Sequence, residues 1–154
     1  SPTRRLEREW FSTRTPEQVR WDWVKLWLEK GREDFLVAEM VLGAPMHSYG
    51  IVSFHAQQAA EKSLKAVLIR YQVPFGKTHD IRQLLSLVEP VAPGLRARMS
   101  EAEALTPYAV ASRYPGVEPG ASRDEASRHL ALARQVVDAV SALLKPYLDA
   151  GRPA

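Results

Sequence analysis

Four groups of side chains in this 154-residue chain have the types and spacing to do chemistry. His55, Gln58, Lys62 and Lys65 follow one another at intervals of 3, 4 and 3, which sets them on one stripe of a helix, with Gln57 and Glu61 on the next line. A histidine, an amide and two lysines on one stripe suit a phosphate-bearing ligand or an acidic partner helix. A solvated face laced with Glu–Lys pairs has the same pattern. Lys77-Thr78-His79-Asp80 follows Gly76 and opens a helix, where free backbone amides, a lysine and a hydroxyl make a small anion-binding corner or an ordinary capped start. No Walker pattern accompanies it.

Arg113 and Tyr114 stand in a run otherwise made of turn formers. Arginine offers two-pronged phosphate recognition and tyrosine a stacking face. The same pair also serves as a plug for the end of a bundle, with Arg113 on a carboxylate. Arg123 and His129 begin the last helix with five residues between them. The arginine could stabilise charge on a phosphate while the imidazole moves a proton during attack by a ribose 2′-hydroxyl. Six positions turn through about 600°, so the two share no helix face, and convergence needs the non-helical backbone at the cap. A surface arginine beside a half-buried histidine is the plainer outcome.

Composition narrows the field. The absence of cysteine excludes disulfides, cysteine nucleophiles, iron–sulfur clusters and thiolate zinc sites. The four histidines show neither HxxxH nor HExxH spacing, so no metal site and no cofactor is expected. No nucleophile elbow is present. A formal net charge of +3 and a pI near 9.3 are mildly basic. Fifteen arginines and no asparagine hint at a high-GC or heat-adapted source. No apolar run has membrane-spanning length, and the opening SPTRRLEREWFSTRTP lacks a signal core, so a cytoplasmic location without membrane attachment is expected.

The elements that must position these residues are helices. Thr15-Pro16-Glu17-Gln18 is a capping box with proline at N1, and Gly43-Ala44-Pro45 closes that helix. Its apolar stripe is read as Trp23, Leu26/Trp27, Phe35, Ala38 and Val41/Leu42, with Gly31 between. A second helix over about 48–72 carries Val52, Ala56, Ala59/Ala60, Ser63/Leu64 and Val67, small residues that admit a close neighbour. A short third helix has Thr78 as its N-cap. A further piece over about 94–104 should break or kink at Pro107, ahead of an irregular connection to Gly120. Ser122-Arg123-Asp124-Glu125 caps the last helix. No period-2 alternation appears, so an all-α antiparallel up-and-down bundle of four or five helices is expected. Residues 1–14 read as an N-terminal extension, 15–148 as the bundle, and 149–154 as a frayed tail.

In order, WLEKGREDFLVAEMVL, FHAQQAAEKSLKAVLI, KTHDIRQLL, LTPYAVASRYPG and an Ala-rich last helix resemble the HEPN domain family, named for nucleotide binding in higher eukaryotes and prokaryotes. The resemblance spans about Val24 to Leu148. It implies a helical bundle, commonly a homodimer, that binds nucleotide or RNA. It also implies work beside a partner minimal nucleotidyltransferase, in some members as a prokaryotic toxin–antitoxin pair. Other members are metal-independent endoribonucleases with an Arg-x4-6-His motif near the start of the last helix. Only Arg123 and His129 meet that spacing here, and Asp124 stands where a polar amide is often found. The positions matching best are His55, Gln58, Lys62, Lys77, His79 and Arg113. Three readings follow: a nucleotide- or RNA-binding module, an endoribonuclease toxin using Arg123 and His129, and a non-catalytic dimeric interaction domain. In the third, the small-residue face of the second helix would make the dimer.

Overall fold

The computed structural model describes residues 2–4, 13–109 and 120–154. Three long helices carry the architecture: α1 (Pro16–Leu42), α2 (Gly50–Arg70) and, last in the chain, α5 (Arg123–Asp149). Between α2 and α5 come α3 (Ile81–Val88), α4 (Leu95–Arg98) and a 3₁₀ helix (Ser100–Tyr108). Among the described residues there is no strand, and the helices form an all-α bundle. Both expected capping boxes are present. Thr15 Oγ1 accepts from the Gln18 amide at 3.1 Å while Gln18 Oε1 accepts from the Thr15 amide at 3.0 Å. Ser122 and Glu125 repeat the exchange at 3.1 and 3.2 Å.

α2 is the axis of the fold. It packs on α1, α5, α3 and the 3₁₀ helix, and Ala56, Ala59, Ala60 and Ser63 are buried in the process. Its small-residue face is therefore spent inside the chain and is not free for a second copy. Gly31 of α1 shows how close the approach is. A methyl group there would lie 2.9 Å from Ser63 Oγ and 3.1 Å from the Ala59 carbonyl oxygen.

Of the expected α1 stripe, Trp27, Phe35, Ala38, Val41 and Leu42 pack against the core, and only Trp23 and Leu26 turn out of it. Val24, Leu28, Gly31 and Ala38 face the core, whereas Trp23 and Leu26 are exposed. Two apolar series run along this helix at intervals of 3 and 4. The inner one, through 24, 28, 31, 35 and 38, is uninterrupted by charge, and the outer one is crossed by Lys30 and Glu33. Burial selects the series without an ion to desolvate.

Three boundary expectations also change. Asp80, not Thr78, caps α3, its carboxylate accepting from the Arg82 and Gln83 amides, while Thr78 Oγ1 takes the Asp80 amide at 3.1 Å. Pro107 does not end its segment, because 3₁₀ geometry suits the fixed proline φ and the turn closes through Ala109 N–H to the Thr106 carbonyl at 3.1 Å. The C-terminus is docked rather than frayed. Arg152 makes two bonds to Asp22 of α1, at 2.9 and 3.1 Å, Arg14 adds a third at 2.8 Å, and the Gln18 side-chain amide donates to the Pro153 carbonyl at 2.9 Å. Arg152, then Arg14, pull the Asp22 carboxyl below its ordinary value near 3.8.

Candidate functional site

Two carboxylate–histidine pairs tie α2 to its neighbours, one to α1 and one to the segment ahead of α3. Asp34, half-buried on α1, accepts from His55 Nδ1 at 2.9 Å and from Lys62 Nζ at 2.6 Å. His55 and Lys62 are seven residues apart, so one carboxylate clasps two turns of α2. Glu61, with its side chain only 4% exposed, accepts from His79 Nδ1 at 2.9 Å, Lys65 Nζ at 3.1 Å and Gln57 Nε2 at 3.0 Å. Gln57 Nε2 also donates to the His79 carbonyl at 3.2 Å, and its Oε1 accepts from Gln58 at 2.6 Å. The Gln57–Gln58 link stands between the two pairs. A carboxylate only accepts, so each imidazole carries its proton on Nδ1 and turns Nε2 away from its partner.

This geometry alters the cation account. Lys65 is buried, its ammonium lying 5.4 Å from the Phe75 ring and 5.8 Å from the Trp27 ring. With Glu61 satisfied by it, Lys65 belongs to the packed interior and cannot meet a phosphate as a surface residue would. Lys62 is neutralised by Asp34. The anion corner ahead of α3 is likewise filled from within, since the Asp80 carboxylate holds the first amides and Thr78 Oγ1 lies 2.6 Å from Gln83 Oε1. Lys77 and His79 remain exposed beside it, and Lys77 has no ion pair among the described residues.

His129 and Arg123 are treated differently by the fold. The His129 ring is 3% exposed, shares a 2.7 Å hydrogen bond through Nδ1 with buried Ser53, and leans on the Tyr108 ring at 4.8 Å between centroids. Burial, then the nearby Arg128 charge, lowers its pKa below the ordinary 6.5, against a weaker pull from Glu125. Arg123 is exposed at the first turn of α5, and no bond joins it to His129. Arg113 and Tyr114 lie outside the described residues. Among the described residues no group of three or more His, Asp or Glu could hold a metal ion, and no helix is long and apolar enough to cross a membrane.

Asp34 and Ser53 escaped the sequence reading altogether, and Gln57 and Glu61 entered it only as the neighbouring line of α2, not as site members. A signal for Asp34 existed. It sits three residues after Gly31 and four before Ala38, both on the core stripe, and an acid on that flank needs a partner. Ser53 had no such signal, because its contact with His129 spans 76 positions of sequence.

A HEPN domain family model matches residues 24–143. Among solved structures, the crystal structure of TT1696 from Thermus thermophilus is similar at 33% identity, with a TM-score of 0.64, over 77% of this chain and 96% of that one. A comparison with curated proteins returned no match. The ordered motifs, the α2-centred bundle and the match over residues 24–143 agree: the chain belongs to the HEPN domain family.

Proposed function

We propose that this HEPN domain binds a nucleotide or RNA phosphate through its α2 ridge, as a homodimer beside a partner minimal nucleotidyltransferase in a toxin–antitoxin-like module. The observation that carries the binding reading is the pair of carboxylate-held histidines. His55 and His79 are each held at Nδ1, which leaves Nε2 for another partner, and exposed Lys77 stands two residues from His79. An imidazole held this way at Nδ1, when both ring nitrogens carry protons, donates from Nε2 to a phosphate oxygen. Lys62 and Gln58 flank the ridge, and Arg113 with Tyr114 remain candidates for phosphate and base contacts.

The test is an equilibrium titration with ATP and short single-stranded RNA at several salt concentrations. Salt-sensitive binding that weakens in H79A, H55A and K77A supports the reading; no binding at any salt ends it. The endoribonuclease reading uses the neutral His129 as the proton acceptor and Arg123 on the phosphate. The buried ring and the Ser53 bond favour binding over catalysis for the chain taken by itself. RNA cleaved in EDTA by the wild type, and left intact by H129A, would reverse that order.

A further inference from the structure

We propose that the outer face of α1 is a two-fold interface on which a second copy of this chain packs antiparallel, with Lys30 opposite Glu33. The inference rests on the homodimer reading above and gives it a surface and a register. Opposite its core stripe, α1 presents positions 23, 26, 30, 33, 37 and 40, at intervals of 3, 4, 3, 4 and 3, the spacing of a coiled-coil seam. Four of the six are apolar and exposed: Trp23 46%, Leu26 42%, Val37 38% and Met40 76%. Exposed apolar side chains scattered singly need no explanation, but a row of them in seam register does.

The two charged positions choose the partner and its direction. Lys30 and Glu33 pair with each other at 3.1 Å and sit near the middle of a helix that runs from 16 to 42. In an antiparallel pair related by a two-fold axis, setting residue 30 opposite 33 also sets Leu26 opposite Val37 and Trp23 opposite Met40. Every apolar residue then meets an apolar one, and each ammonium meets a carboxylate. All three layers join a first seam position to a fourth, as antiparallel coiled coils require. A parallel pair in register would put Lys30 on Lys30 and Glu33 on Glu33, which is repulsive. The stripe is thus complementary to itself reversed, a property a second copy uses and an unrelated partner does not need.

The chain has no cysteine, so introduced thiols report the register directly. The full chain is examined by sedimentation equilibrium, and L26C is mixed with V37C under mild oxidation. The expected results are a wild-type dimer, an M40E monomer with unchanged helical circular dichroism, and a cross-link in the mixture. L26C alone should cross-link poorly, since two copies of that position lie about 16 Å apart along the axis. K30E should weaken the dimer about tenfold through like charges met twice, and K30E/E33K should restore it. A dimer that survives M40E without the mixed cross-link overturns this interface and leaves the homodimer reading standing. A wild-type monomer at high concentration overturns both.

Discussion

Removing the Glu61 carboxylate tests whether the polar ridge of α2 is held from inside. Its side chain is 4% exposed and that of Lys65 is 6% exposed, so the pair is out of water. Glu61→Leu leaves the Lys65 ammonium and His79 Nδ1 without their acceptor and removes one of the two acceptors of the Gln57 amide. Breaking a buried ion pair from one side costs about 3–5 kcal/mol, because the remaining charge stays desolvated. The rings of Trp27 and Phe75 offset part of this, about 1 kcal/mol, by keeping an aromatic face toward the ammonium. The net loss is about 3 kcal/mol, a large share of the roughly 5–15 kcal/mol that holds an ordinary domain. Glu61→Gln keeps an acceptor and should lose less. The double change E61L/K65M removes both charges and lays a thioether along the same rings, so it should recover to within about 1 kcal/mol of wild type. Urea denaturation at constant pH, followed by circular dichroism across the four proteins, measures all of this. A loss under about 1 kcal/mol for E61L, or a double variant no better than the single, would refute the buried-pair account.

Gly31→Ala gains about 1 kcal/mol of helix propensity but forces a methyl against the Ala59 carbonyl, and overpacking costs about 1–3 kcal/mol, so calorimetry should show a Tm a few degrees lower. Ser63→Ala deletes a buried hydroxyl that has no hydrogen-bond partner, and should raise Tm by about 2–4 °C. His129 has a folded pKa below its ordinary 6.5, so the unfolded chain takes up its proton first. Its contribution is complete above about pH 6.5 and is lost as pH falls from there through the folded pKa, which urea midpoints between pH 7.5 and 5 should show and H129F should flatten. Asp22→Asn weakens the clasp of Arg152 and Arg14, so hydrogen exchange near the C-terminus should accelerate with less than about 1 kcal/mol lost overall.

Much of the fold is readable in local chemistry. A threonine or serine followed three residues later by a glutamine or glutamate places a helix start by itself, and α1 and α5 begin where those boxes stand. The first turns of α1 are harder to place. Trp23 and Leu26 are large and apolar, yet they belong to the series crossed by Lys30 and Glu33, and the uninterrupted series through Val24 and Leu28 is the one buried. Tertiary context decided the cations. Lys65 reads as a surface lysine on spacing alone, yet Trp27, Phe75 and Glu61 come from three parts of the chain to enclose it. The α3 start illustrates a closer contest. Thr78 and Asp80 are both good caps, and the aspartate wins by bonding two amides where the threonine supports only the turn before it.

The two proposals meet at Asp34. In the seam register of α1 it sits one residue past Glu33, on the flank beside the interface and about two and a half residues from its centre, or about 4 Å along the axis. A two-fold axis that reverses one helix against another lies perpendicular to the plane of the pair, so it returns each flank to the same side. The Asp34–His55–Lys62 cluster of one copy would then stand beside that of the other, about the axis, rather than on opposite faces. One cluster by itself is nearly neutral at its carboxylate, with Asp34 already shared between His55 and Lys62. Two clusters side by side would bring two lysines and two oriented imidazoles to one groove, each lysine still balanced by its own Asp34, so symmetry would add hydrogen-bond donors for a phosphate without adding net charge. On this geometry the proposed anion binding would rest on donors gathered by symmetry and not on basic residues accumulated on one copy.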